Sequence, residues 1–389
     1  MPDKSYSTVE MIEKLVSFNT TSRLSNLELI NFISDYLATL GVEANLIHDA
    51  GGEKANLYAT IGPSDVPGVV LSGHTDVVPV DGQAWDTDPF AVIEKDGKLF
   101  GRGTSDMKSF IAIALALAPE FAKTKLKTPI HFALSFDEEV GCLGAPLMIE
   151  KMDQFSAKPR AVIVGEPTNM SVVNAHKGVC SFHTTVHGLE RHSSEIDRGV
   201  NAVAYAAELV HFLSGVAEEM RDHHAQPESG FNPPYTTVHV GTIQGGTAQN
   251  IVPLHCTFSW EYRLMPGEDL SAIRNRFQTH VDEVVLPKMH AVDDTTGIET
   301  EVRAFVPGLA PEEGSTAEAL VLALARKNTT EVVAYGTEAG QFQAAGNPVV
   351  VCGPGSIAQA HKPNEFIELS EVRACEQFMR RLLSEVCAA

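Results

Sequence analysis

No stretch of this chain stays apolar long enough to span a bilayer. The longest run, Phe110 to Ala118, has nine residues and stops at Pro119, where about 20 are needed. Positive charge is scarce: 29 Lys and Arg stand against 50 Asp and Glu, a formal charge of −21. A field of that sign argues against binding phosphate backbones, so no nucleic acid and no membrane surface is expected as a partner. The six cysteines form no Cys-x-x-Cys pair, which argues against a disulfide framework or a cysteine zinc knuckle and for buried thiols in a reducing cytoplasm. The start, Met1-Pro2-Asp3-Lys4-Ser5, has no apolar stretch behind it and does not read as a signal peptide. A soluble, cytoplasmic protein is expected. Hydrophobic residues make up 44% of the 389, enough for a sizeable core, and the length suits two or three domains of roughly 150 residues.

Two capping-box patterns open the chain, Ser7-x-x-Glu10 and Ser25-x-x-Glu28. Ile12, Leu15 and Val16 share a helical face behind the first. Ile30, Ile33, Leu37 and Leu40 turn inward behind the second, and Gly41 is placed to end that helix. Short apolar runs then alternate with helical segments: Gly68 to Ser72, Pro129 to Phe136, Ala161 to Val164 and Pro348 to Cys352. They do not alternate with polar residues, which suits strands covered on both faces and so a mostly parallel α/β sheet. The middle of the chain differs. From 254 to 264 the alternation is strict, with Leu254, Cys256, Phe258, Trp260, Tyr262 and Leu264 on one face and His255, Thr257, Ser259, Glu261 and Arg263 on the other. That is a strand with one wet face. The expected order is strand 179–187, helix 199–220, strand 235–244, strand 254–264, helix 268–285, strand 298–304. This β-α-β-β-α-β sequence is the ferredoxin-like order. The chain therefore reads as an α/β domain, residues 1–178 and 305–389, with a smaller ferredoxin-like domain inserted at 179–304.

Acidic residues and histidines cluster just past the expected strands. They are His74 and Asp76 in Gly-His-Thr-Asp, Asp106 before the apolar helix, Asp137-Glu138-Glu139, Glu166, and His361 in the loop after the last run. In open α/β sheets ligands bind beyond the carboxyl ends of strands, so these groups are placed to converge. Singly, each is equally readable as a turn or surface residue. Asp76, two residues from His74, shares its face and could hold one imidazole nitrogen while the other binds a metal. Asp106, Glu139 and Glu166 would repel one another without a cation. Two zinc ions balance three carboxylates and a hydroxide. Four-coordination follows if one ion takes His74, Asp106, Glu166 and a water, and the other takes His361, Asp106, Glu139 and the same water. Such a pair would activate the water and polarise a carbonyl, leaving Glu138 free to move the proton.

Gly-His-Thr-Asp at 73–76, Gly-Arg-Gly-x-x-Asp-Met-Lys at 101–108, Asp-Glu-Glu at 137–139, Gly-Glu-Pro at 165–167 and His361 together resemble, in order and spacing, the dinuclear-zinc amidohydrolase and peptidase family of deacetylases, desuccinylases and carboxypeptidases. The resemblance runs over nearly the whole chain. It implies a zinc-peptidase-like catalytic domain with an inserted lid and dimerisation domain. It also implies two divalent ions, zinc or alternatively cobalt, with His74, Asp106, Glu139, Glu166 and His361 as ligands, Glu138 as general base and Asp76 as orienter. Tyr335-Gly-Thr-Glu-Ala339, Gly353-Pro-Gly-Ser-Ile357 and Gln359-Ala-His-Lys-Pro-Asn-Glu365 are similar to the family's acetylornithine deacetylases. The implied substrate is a small N-acyl amino acid, N2-acetyl-L-ornithine first, in arginine biosynthesis; the alternatives are desuccinylation of a diamino diacid and a dipeptidase. His192 resembles the family's inserted-domain histidine, an oxyanion donor from a partner subunit in a homodimer, although Glu190-Arg191 stands where small residues are usual. Asn250 and Arg263 resemble substrate-carboxylate contacts, and Arg263 could equally pair with Glu261. Glu338 is the candidate for reading the substrate's side-chain amine.

Overall fold

Residues that cannot face water build the centre of a sheet. In the computed structural model, which describes residues 5–387, the four apolar runs become the strands Val69–His74, Ile130–Ser135, Ala161–Pro167 and Val349–Gly353, every residue buried. They are consecutive neighbours in an eight-stranded sheet and pair in parallel. Both faces of such strands are covered, which is why their sequences do not alternate. The sheet is mixed, because the flanks are antiparallel: Ala44–His48 pairs with Ala55–Ile61, which pairs with Ile130–Ser135, and Val172–His176 pairs with Val349–Gly353 on the far side. The parallel reading thus holds for the centre and not for the edges; of the antiparallel pairs, Ala44–His48 with Ala55–Ile61 is joined by a short hairpin-like return.

The helix Lys108–Lys123 is buried along most of its length and packs on this sheet, with Thr8–Val16 and Leu369–Val386 against it. The first capping box forms as expected, Ser7 and Glu10 each closing on the other's backbone. The second does not. That helix is Leu27–Thr39, capped at Asn26 without a side-chain cap, and Ser25 donates instead to the carbonyl of Glu53 at 2.5 Å. Asn26 is diverted to a buried task, exchanging hydrogen bonds with Ala55 and donating to Thr75. Gly41 follows the helix at φ 75°, as its end requires.

The chain divides into two units. One runs to Ala175 and adds Leu309–Val332 and the chain from Thr337 onward; the other is His176–Gly308 with Val333–Gly336. The second unit has four antiparallel strands in the order Thr237–Gly245, His255–Leu264, Gly178–His187, Gly297–Val306, with the helices Ala202–His223 and Ala272–His280 on one face. That is the ferredoxin-like arrangement. Cys256, Phe258, Trp260, Tyr262 and Leu264 all point into its core, where Trp260 stacks on Phe182 at 4.4 Å and meets Phe277 at 4.6 Å. Its indole N–H donates to Thr184 at 3.0 Å, so the large side chain leaves no polar atom unpaired. Among the described residues, no helix is long and apolar enough to cross a membrane.

Candidate metal centre

The strand ends bring the expected groups together within the first unit. His74 closes its strand, Glu166 lies near the end of the next, and Glu138 and Glu139 follow Ile130–Ser135. Asp106 enters on the loop before Lys108–Lys123, and His361 on the loop after Val349–Gly353. His74 Nε2 lies 3.0 Å from Asp106 Oδ1 and 3.5 Å from Glu166 Oε1. His361 Nε2 lies 2.9 Å from Glu139 Oε2 and 3.4 Å from Asp106 Oδ2. Asp106 thus offers one oxygen to each histidine, the geometry a bridging ligand needs. Ligand atoms of His74, Asp106 and Glu139 fall within 4.8 Å of one another, and so do those of His74, Glu138 and Glu166. Glu138, expected only as a base, is therefore also within ligating reach.

His74 is held in one tautomer by its own strand end. Its Nδ1 is 2.9 Å from the backbone carbonyl of Asp76, which can only accept, so Nδ1 carries a hydrogen and Nε2 is the nitrogen turned toward the cage. The Asp76 carboxylate was the expected partner, and it stands at 3.6 Å from Nδ1. It does something else: Oδ1 accepts the N–H of Glu138 at 3.1 Å, while Oδ2 accepts that of Glu139 at 3.3 Å and the Ser22 hydroxyl at 2.7 Å. Asp76 is the seat of the acidic pair. The Cys142 thiol, which the sequence did not single out, donates to Glu138 Oε1 at 3.3 Å.

The electrostatics call for positive charge. Burial, reinforced by the charges of Glu139, Asp106 and Asp76 against that of His74, pushes Glu138 up to about 8. Burial and the charge of Asp106 push Glu139 up to about 7 and hold Glu166 well above the usual carboxylate range. Hydrogen bonds to Asp106 and Glu139 lift His361 to about 10. Burial works against a charged His74, but the charge of Glu166, the bond to Asp106 and the nearby Asp76 carboxylate outweigh it. Burial also works against an ionised Asp106, and the two histidines overcome that and hold it low. The carboxylates are sharing histidine protons where a cation could serve them all. Glu166 Oε1 is buried with no hydrogen-bond partner. A mixed imidazole and carboxylate donor set fits zinc or cobalt, whereas calcium takes oxygen alone. The residues present fit a metal centre.

Glu338, the candidate for reading a substrate amine, is not at the surface. It is fully buried, with Oε1 accepting from Ser72 and Oε2 from Ser135, both at 2.6 Å. Ser72, a lone hydroxyl in an apolar run, is the signal that could have placed it. In the second unit, Arg263 sits on the polar face of its strand and its fork is held by Glu261 at 3.0 and 3.4 Å. His192 and Asn250 are exposed and lie together: His192 bridges to Ile251, and the N–H of Ser193 donates to the carbonyl of Asn250 at 3.0 Å. His192 Nδ1 accepts the Ser194 N–H at 3.2 Å, so its Nε2 is the donor nitrogen.

The family model "Peptidase family M20/M25/M40" matches residues 70–385. An acetylornithine deacetylase of Myxococcus xanthus is 36% identical, over 97% of this chain and 96% of that one. An acetylornithine deacetylase of Pasteurella multocida is 32% identical over 98% of each. Among solved structures, an M20 family metallo-carboxypeptidase from Sulfolobus solfataricus superposes with a TM-score of 0.77 over 97% of this chain and 98% of that one, at 17% identity, a likeness of fold. The family match takes in every residue of the cage and the two relatives cover 97–98% of the chain, so this protein belongs to the M20/M25/M40 peptidase family and is a hydrolase of amide bonds.

Proposed function

We propose that the protein removes the acyl group from an N-acyl amino acid, N2-acetyl-L-ornithine plus water giving L-ornithine and acetate, a step toward arginine. The observation that carries this is the Asp106-centred cage, with one histidine on each side of one carboxylate, in a chain whose curated relatives at 32–36% identity are acetylornithine deacetylases. His74, Asp106 and Glu166 would hold one divalent ion, and Asp106, Glu139 and His361 a second, zinc or alternatively cobalt. When bound, the pair supplies Lewis acidity to the acyl carbonyl and acidity to a water.

The chain's own residues do the rest. Glu138, seated by Asp76 through its N–H and touched by the Cys142 thiol, accepts a proton from the attacking water. The water's oxygen bonds to the acyl carbon, the C–N bond breaks, and Glu138 returns the proton to N2 of the leaving ornithine. His192 donates from Nε2 to the carbonyl oxygen as negative charge grows there, worth on the order of 100- to 1000-fold for such a donor. Asn250 and Arg263 hold the substrate carboxylate, Arg263 by exchanging Glu261 for it. We further place the protein in the cytoplasm, as its six free thiols suggest, and as a homodimer through the 179–304 insert.

A substrate panel on metal-restored protein tests the reading. Acetylornithine should give the highest kcat/KM against succinyl-diaminopimelate, acetylmethionine and simple dipeptides. Preference for the succinyl compound would overturn the choice of substrate while leaving the metal centre standing.

A further inference from the structure

We infer that Glu365 is a positioning residue for the metal cage: its buried carboxylate fastens the loop that carries Asp106 to the loop that carries His361. This rests on the reading of Asp106 and His361 as ligands. Glu365 is 1% exposed. Its Oε1 accepts three backbone N–H groups, from Gly103 at 3.1 Å, Ser105 at 2.8 Å and Asp106 itself at 3.0 Å. Its Oε2 accepts Arg102 Nη1 at 2.7 Å. All four partners donate, so the site is built for an acceptor-only carboxylate. Three N–H groups of one tight loop converging on one oxygen form an anion-binding concavity, and the turn that makes it depends on Gly103. That residue has φ 85°, and a Cβ there would stand 2.9 Å from Val77 and 3.1 Å from Lys108.

The placement matters because of what Asp106 and His361 do. With its N–H pinned from behind, Asp106 directs Oδ1 toward His74 and Oδ2 toward His361. His361 cannot be held by packing, since its side chain is 56% exposed. It is held through the backbone of its loop. Gln83 donates to its carbonyl at 3.0 Å. Asn364 and Asp86 exchange hydrogen bonds at 2.9 and 3.0 Å. Glu365 comes four positions after the histidine and directly before the strand Phe366–Glu368, which pairs with Lys98–Phe100 at the start of the Asp106 loop. Glu365 is the point where both loops meet one charge, and the distance between the Asp106 and His361 ligand atoms depends on it.

The test is metal binding, not turnover. Metal-stripped parent and Glu365→Gln proteins are titrated with zinc by calorimetry and with cobalt by visible absorption, and their folding is checked by circular dichroism. In the variant the amide nitrogen must face either the converging N–H groups or the guanidinium, donor against donor. The parent should take two equivalents, and the folded variant should bind the second about 10- to 100-fold more weakly, as losing an outer partner typically does. A variant with lowered thermal stability but both equivalents bound as in the parent would show a purely structural role and overturn the inference. Should Glu365→Gln fail to fold, Glu365→Asp carries the test: it keeps the charge but cannot reach both partners. Parent-like affinity in that variant overturns the inference, and weakened binding upholds it. A parent that took no metal would overturn the reading of the cage and this inference with it.

Discussion

Replacing Asp76 by Asn separates two ways this aspartate could matter. Its buried carboxylate accepts at both oxygens: Glu138 N–H on Oδ1, Glu139 N–H and the Ser22 hydroxyl on Oδ2. An amide keeps one acceptor and sets an NH2 against the other side. The less costly orientation turns the nitrogen toward Glu138, where one buried N–H is lost, about 1–3 kcal/mol. For a chain of this size that lowers the melting temperature by roughly 1–2 °C per kcal/mol. The larger effect is on Glu138, whose backbone loses its seat. Turnover should fall about 10- to 100-fold, as for other residues that orient a ligand or base. Metal content should stay at the parent level, because His74 is oriented by the Asp76 carbonyl, which Asn retains. The assay is kcat and KM with saturating zinc, beside a zinc titration of stripped protein. Unchanged kcat with weakened metal binding would refute this, and would return Asp76 to the role of orienting His74 through its carboxylate.

Other perturbations have equally definite outcomes. Glu138→Ala should retain metal and lose turnover by about 100- to 10,000-fold; parent-like activity would reject Glu138 as the base. His131 is buried in the sheet, burial holds it down to about 4 against an ordinary 6.5, and its Nδ1 meets the Thr60 hydroxyl at 2.9 Å. The unfolded chain takes up that proton near pH 6.5 and the folded one only near 4, so stability is full above pH 6.5 and is lost as pH falls toward 4. The loss is at most about 3 kcal/mol. Denaturant titrations across that window should show a shallower acid loss for His131→Gln, and equal slopes would contradict the assignment. Gly165→Ala would put a Cβ 2.1 Å from the Phe110 ring, an overpacking cost of about 1–3 kcal/mol. Because Glu166 is the next residue, its zinc affinity should drop along with the melting temperature.

What could be read from the sequence follows from how each residue is constrained. The four central strands announce themselves because double-sided burial leaves no polar position, and the groups beyond their ends are where an open sheet gathers ligands. The alternation from Cys256 to Leu264 declared its sheet because only one face is covered. The antiparallel flanks were less legible: Ala44–His48 carries Asn45 and His48, and its pairing with Ala55–Ile61 depends on a partner and not on its own pattern. Ser25 and Glu28 had the spacing of a cap, but a tertiary bond from Ser25 to Glu53 won. Arg263 and Glu261, two apart on one strand face, were bound to meet, and they did. Glu338 and Glu365 were the hardest, because each is defined by donors more than 200 positions away, Ser72 and Ser135 for one and the 102–106 loop for the other. Local spacing carries no trace of such partners.

The claim beneath all of this is that two cations sit on either side of Asp106. Anomalous scattering from crystals of the protein grown with zinc measures that directly. The account predicts two peaks about 3.5–4 Å apart, one beside His74 and Glu166, the other beside Glu139 and His361. No peak in the cage, with zinc in excess, would contradict it.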